Sequence, residues 1–264
     1  MKIRNLLVMA AFLMLFSCAE KRTNPLIQNL DKSWIVTTDT LNIKMEVDIP
    51  SVIQADMYEN GLIPHPYKSN IESQLHWITQ HEWEYSLDFK AEDYILREDV
   101  IELVFEGLDT YADVWMNGKK ILHADNMFRT YSYDVKDIIK ETNNIKIKFY
   151  PFDKERDSLI ETYPLRFPEK YAVMRKAAYQ NGWDWAPRYM NMGIWQPVYL
   201  KAWTRSTICS ASVITNEIHD DKAYLFFEAC INADVEHDIT LQLFQENEKI
   251  LDKNIDLKVG KNYF

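Results

Sequence analysis

The stretch "YADVWMNGKKIL", residues 111–122, places Asn117-Gly118 between two runs of strand-like residues. Both residues tolerate the positive φ that a two-residue hairpin turn demands, so this pair is the strongest short-range signal for two antiparallel strands. Working outward, "VIELVFEGL" at 100–108 gives another apolar run that closes on Gly107. In "WEYSLDF" Trp83, Tyr85, Leu87 and Phe89 alternate with Glu84, Ser86 and Asp88, and in "NNIKIKFY" Ile145, Ile147 and Phe149 alternate with Lys146 and Lys148. A period of two marks strands with one buried face. These runs predict an antiparallel meander and an all-β chain. Helical patterns are short: Ser51–Asn60, with Ile53 and Met57 four apart, and Asn70–Gln80, with Leu75 and Ile78 on one face. Between Lys21 and Lys201 there is no internal repeat, low-complexity tract or long linker.

Aromatic density falls near Thr204–Thr207, which predicts a boundary there. Beyond it "AYLFFEACINA", "ITLQLFQ" and "NIDLKV" read as three or four strands with polar turns, the spacing of an immunoglobulin-type sandwich. Such a sandwich takes about seven strands and roughly 100 residues, so residues 206–264 are expected to form only part of one.

With 264 residues, 47% of them hydrophobic and 13% aromatic, the chain can bury a large core. The formal charge of −10 works against nucleic acid and anionic lipid head groups as partners. The first residues, "MKIRNLLVMAAFLMLFSCAE", combine Lys2 and Arg4 with an apolar run from Leu6 to Phe16 that is too short for a permanent membrane span and fits an export signal. Ser17-Cys18 resembles the lipobox of bacterial lipoproteins. That resemblance implies a signal peptide over 1–17, a lipidated Cys18, a tether over 18–24, and an exported, membrane-anchored bacterial lipoprotein, periplasmic or outer-membrane facing. A plain signal peptide with an incidental cysteine is the other reading. Cys209 and Cys230 could pair but are expected to be two free, buried thiols, because a core this apolar does not need the staple. His65, His76, His81 and His123 show no metal-ligand spacing, and neither a metal ion nor another cofactor is expected.

Six segments occur in order: "YENGLIPHPY" (58–67), "WITQHEWEYSLDF" (77–89), "GLDTYADVWMNGKKI" (107–121), "NMF" (126–128), "RKAAYQNGWDWAP" (175–187) and "GIWQPVYLKAW" (193–203). Together they resemble the N-terminal sugar-binding domain of the β-mannosidases of glycoside hydrolase family two. The resemblance implies a jelly-roll sandwich over residues 25–205, then an immunoglobulin-like domain, then a catalytic barrel. The barrel's two Glu residues would perform retaining hydrolysis of terminal β-mannosides, one protonating the leaving oxygen while the other attacks from about 5 Å away. That barrel is expected to be absent from this chain, so no catalytic residue is assigned. Asn216-Glu217 matches the acid/base dipeptide of such enzymes only as a short coincidence.

By the same resemblance, Asp184 would accept hydrogen bonds from mannose hydroxyls and Trp183 would shape the terminal sugar site of a β-mannoside oligosaccharide or glycan. The chemistry is sound: a carboxylate takes two hydroxyl donors, and an aromatic face packs on the C–H side of a pyranose. The structural alternative has Asp184 capping a turn, with Trp183 and Trp185 in the core and Trp195 as packing. Arg175 and Lys176 are placed to pair with acids near this loop, and Asn126 to order the backbone of a turn. Three positions depart from the family pattern: Gln54 for histidine, Ile71 for asparagine and Ala186 for glycine. Three functional readings follow: the N-terminal part of an exported β-mannosidase, a non-catalytic carbohydrate-binding module, and an inactive remnant of a split gene.

Overall fold

The computed structural model describes residues 25–38, 40–68, 71–162, 169–220 and 222–264. The expected export signal (1–17), Cys18 and the expected tether (18–24) lie outside them. The Asn-Gly pair forms the turn its sequence predicts: Asn117 and Gly118 have φ of 51° and 82° between β6 (Ala112–Met116) and β7 (Lys119–Ala124). The Asn117 amide also donates to Ile138 O at 2.8 Å, and its Oδ1 accepts from the Asn144 amide N at 2.9 Å, so one side chain fixes the turn against two other segments.

The remaining strands of the first part are β1 (Leu26–Asn29), β2 (Trp34–Thr38), β3 (Ile43–Val47), β4 (Trp83–Lys90), β5 (Val100–Phe105), β8 (Tyr131–Asp134), β9 (Thr142–Phe149) and β10 (Val198–Trp203). They build two antiparallel sheets, β3-β2-β4-β9-β6-β7 and β1-β10-β5-β8. The alternating residues do what their period requires: Trp83, Tyr85 and Leu87 on β4 and Ile145, Ile147 and Phe149 on β9 are buried, as are Ile101, Leu103 and Phe105 on β5. One apolar cluster from Leu30 to Ala202 joins the two sheets. At about 25 cal/mol per Å2 of apolar surface, such a cluster is the main driving force for this unit. The molecule is all-β, with a sandwich at its N-terminal side.

The helices are connectors. Ile53–Glu59 occupies the first predicted stretch; the second splits into a single α-turn, Glu72–Leu75, and a 3-10 turn, His76–Gln80. The longest described helix, Phe152–Thr162, was not anticipated, because "FDKERDSLIET" offers few apolar residues to read a period from; Phe152 and Arg156, four apart, face inward.

Past Trp203 come β11 (Ser206–His219), β12 (Lys222–Ala233), β13 (His237–Gln245), β14 (Glu248–Leu257) and β15 (Gly260–Tyr263), five strands where the sequence pattern predicts three or four. They form a three-stranded sheet, β11-β12-β15, and a two-stranded one, β13-β14. Their own core is small: Ile231, Ala233, Ile255 and Leu257, flanked by Ile239 and Leu241. The expectation of two buried thiols is half corrected. Both cysteines are free and Cys230 is buried, but Cys209 is exposed, because it is the extra residue at a bulge where the β11–β12 register slips between Ile208 and Ser210.

Candidate functional site

The long connection between β9 and β10 carries the Trp-Asp-Trp motif, and two legs tie it to the sandwich. The return leg runs antiparallel to the segment before the helix Ile53–Glu59: Ser51 N donates to Ile194 O and Ile53 N to Met192 O, each at 2.8 Å, and the Gln54 side-chain amide donates to Met190 O at 2.8 Å. Gln54, one of the positions read as a departure from the family pattern, therefore holds the loop by its amide.

Asp109, in the β5–β6 connection, is the hub of both legs. Its backbone exchanges hydrogen bonds with Gly193 at 2.9 and 3.0 Å. Its carboxylate is ion-paired with Lys176 and accepts from Thr110 Oγ1 and, at 3.2 Å, from the Gln180 side-chain amide. Lys176 also donates to Asn191 O at 2.6 Å, and Gln180 Oε1 accepts from Asn191 N at 2.9 Å. The ion pair is fully enclosed, with Lys176 and Asp109 side chains 0% and 1% exposed. Burial pushes the Lys176 ammonium below its ordinary value, and Asp109 opposes this. An enclosed charge is tolerated only when paired and hydrogen-bonded. Here the pairing partners span the outgoing leg, the return leg and the sandwich. The sequence marked Lys176 as a partner for acids near the loop but gave no signal for Asp109 or Gln180, which lie 67 and 71 positions from Lys176 and Asp109, respectively. Arg175, grouped with Lys176 beforehand, has an exposed side chain; its backbone O accepts from Met127 N at 3.0 Å.

Between the legs the chain makes a tight reversal. Trp183 N donates to Ala186 O at 3.0 Å and Ala186 N to Trp183 O at 3.1 Å, leaving Asp184 and Trp185 as the two tip residues. Backbone alone closes this turn. Asp184 is exposed, and among the described residues nothing donates to its carboxylate. Trp183 and Trp185 are 70% and 83% exposed, so neither is core. Trp195 is half-buried, with its indole N–H donating to Met127 O at 3.1 Å, as a packing residue does. Asn126 orders its turn by accepting from Phe128 N at 2.9 Å.

Trp183, Asp184 and Trp185 border a cleft of about 1040 Å3 whose other walls include Tyr67, Tyr171 and Tyr179. Tyr67 meets Tyr189 edge-to-face at 5.3 Å, and the Tyr189 hydroxyl donates to Pro66 O. Arg188 lies 5.1 Å from the Tyr171 ring centroid, and its backbone N donates to Glu72 at 2.8 Å. The cleft is thus an aromatic wall with a few polar groups, the composition of a site for a ligand with both C–H faces and hydroxyls. Among the described residues no group of three or more His, Cys, Asp and Glu side chains is placed to hold a metal ion. His123, for instance, is paired with Asp113 at 2.7 Å.

The sandwich and its exposed loop define a class. Residues 29–196 match the family model described as "Glycosyl hydrolase 2 galactose-binding domain-like", and the chain belongs to that family. Among its relatives, the β-mannosidase of Mus musculus is 29% identical over 187 residues, covering 66% of this chain and 21% of that protein. β-Mannosidase A of Emericella nidulans is 31% identical over 182 residues, covering 64% and 19%. The crystal structure of a β-D-mannosidase from Dictyoglomus thermophilum superposes with a TM-score of 0.80 at 27% identity, covering 90% of this chain and 30% of that one. The chain spans about a fifth of the length of these curated relatives. It resembles the N-terminal domain of glycoside hydrolase family two β-mannosidases.

Proposed function

We propose that this chain is the N-terminal portion of an exported β-mannosidase, a retaining exo-glycosidase that removes terminal non-reducing β-D-mannose. It supplies a wall of the sugar site, and a barrel outside these residues supplies the two carboxylates. Asp184 accepts hydrogen bonds from mannose hydroxyls, and Trp183 packs against the ring. Lipidated Cys18 anchors the protein to the membrane. The observation that carries the reading is the backbone-anchored turn that presents Asp184, exposed and without a protein partner among the described residues, beside exposed Trp183. An exposed carboxylate and indole on a well-anchored loop are groups kept for a ligand rather than for folding.

In the complete enzyme, Asp184→Ala is expected to lower kcat/KM by about 2–4 kcal/mol, roughly 30- to 1000-fold, because a charge-assisted hydrogen bond that tightens as the ring distorts contributes about that much. The melting temperature should stay within a degree or two, because the turn is closed by backbone. Near-normal kcat/KM with a lowered melting temperature would remove the substrate role. A binding-module reading draws on the same cleft, whose walls all come from residues 67–191. Titrating the purified chain with mannobiose and following tryptophan fluorescence separates the two. A saturable change lost in Asp184→Ala favours a module that binds unaided; its absence, with the kcat/KM loss above, favours the enzyme part.

A further inference from the structure

The three-stranded sheet β11-β12-β15 holds a pair of thiols that the proposed sugar site does not use. In the β11–β12 pairing, Ile208 faces Ile231 and Ser210 faces Cys230, so Cys209 is the extra residue and shares the position opposite Cys230. At such a bulge two consecutive residues confront one partner, and neighbouring strands lie about 5 Å apart, within the Cα spacing a disulfide requires. The two thiols differ in access: Cys209 is open to solvent and Cys230 is buried behind it. They lie at the end of β12 that carries Ile231 and Ala233, half of this unit's small core. Small cores are where a covalent cross-link adds most.

We infer that Cys209 and Cys230 are a redox pair that closes to a disulfide when the chain meets a disulfide oxidant. The exposed Cys209 thiolate attacks one sulfur of the oxidant, forming a mixed disulfide and releasing one thiol. The Cys230 thiolate then attacks the Cys209 sulfur, releasing the second thiol. Two protons and two electrons pass from the cysteines to the oxidant, and one protein S–S bond replaces the oxidant's own. Burial holds the Cys209 thiol above its ordinary value, a hydrogen bond with the Cys230 thiol adds to this, and Lys201 and Lys261 oppose it. Because only the thiolate attacks, closure quickens as pH rises from 7 to 9.

The test incubates the folded chain, with Cys18→Ser to remove the third thiol, with oxidised glutathione at pH 8. Free thiols are then trapped by alkylation, and the tryptic peptides are mapped by mass. The expected product is about 2 Da lighter than the reduced chain, with peptide 206–222 linked to peptide 223–249. Cys230→Ser should stop at a glutathione adduct on Cys209. Two alkylated cysteines after incubation would overturn the inference, and so would a wild-type pair in which Cys209 keeps glutathione while Cys230 stays free.

Discussion

Lys176 shows how much one buried side chain can organise. Removing it leaves the enclosed Asp109 carboxylate with Gln180 and Thr110 as its side-chain donors among the described residues. Breaking a buried pair from one side costs about 3–5 kcal/mol, so Lys176→Met should lower the unfolding free energy in urea by that order. Adding Asp109→Asn should restore part of the loss, because the uncompensated charge is gone. A double variant no more stable than the single one would show that the ion pair is not the source. Asp56 offers a second test. It is buried, accepts from Ser51 Oγ and from the Tyr85 hydroxyl at 3.2 Å, and burial raises its pKa from 3.8 to about 6 while these hydrogen bonds oppose the rise. The folded state therefore holds this proton more tightly than the unfolded one. The contribution favours folding below pH 4 and is lost as pH rises through about 6. At about 1.4 kcal/mol per pH unit, the gap corresponds to about 3 kcal/mol. Comparing wild type with Asp56→Asn, the stability difference should move in favour of the variant by up to that amount between pH 4 and pH 7. A difference flat with pH would mean that Asp56 titrates normally.

Turns and close approaches act at the level of elements. Gly118 and Gly193 both have positive φ, 82° and 147°, yet their surroundings differ. A methyl on Gly118 meets nothing within 4 Å, whereas on Gly193 it would sit 2.9 Å from Ser51 O and 3.0 Å from the Tyr85 hydroxyl. Gly118→Ala should therefore cost only the backbone penalty, about 1–2 kcal/mol. Gly193→Ala should cost more, because it also pushes the return leg away from Asp109 and the segment before Ile53. The comparison is read by urea unfolding followed by far-UV circular dichroism. Equal losses at the two sites would contradict the close contact.

Across the whole molecule, the two sandwiches differ in how completely they cover their apolar residues. The first encloses Trp34, Trp83, Tyr85, Phe105 and Phe149 completely. In the second, Ile208, Val213, Ile214, Ile218, Leu225, Phe226 and Phe244 are all about half exposed or more. Exposed apolar faces on strands promote association through edges and surfaces. A chain ending near Trp203 is expected to stay soluble at higher concentration than the full chain, measured by light scattering. An unchanged or lower solubility limit would place the liability in the first sandwich instead.

Local rules read from the sequence determined what depends on neighbours along the chain. Asn117-Gly118 specified its hairpin because few residue pairs accept two positive φ values, and the alternation in β4 and β9 specified which faces are buried because successive side chains point to opposite sides of a strand. The six ordered segments and Asn126 with its turn were legible in another way, through their resemblance to a family. The helix Phe152–Thr162 was not, since a helix carrying few apolar residues has no period to read and is placed by what it packs on. Nor was the exposure of Cys209, which follows from a one-residue slip between two strands. The footing of the loop was decided only in three dimensions: Asp109 is far in sequence from Lys176, Gln180 and Asn191, and each becomes necessary because the others exclude water from the same charge. A buried ion pair leaves no periodic trace, since its stability depends on enclosure by elements that meet only when the sandwich closes.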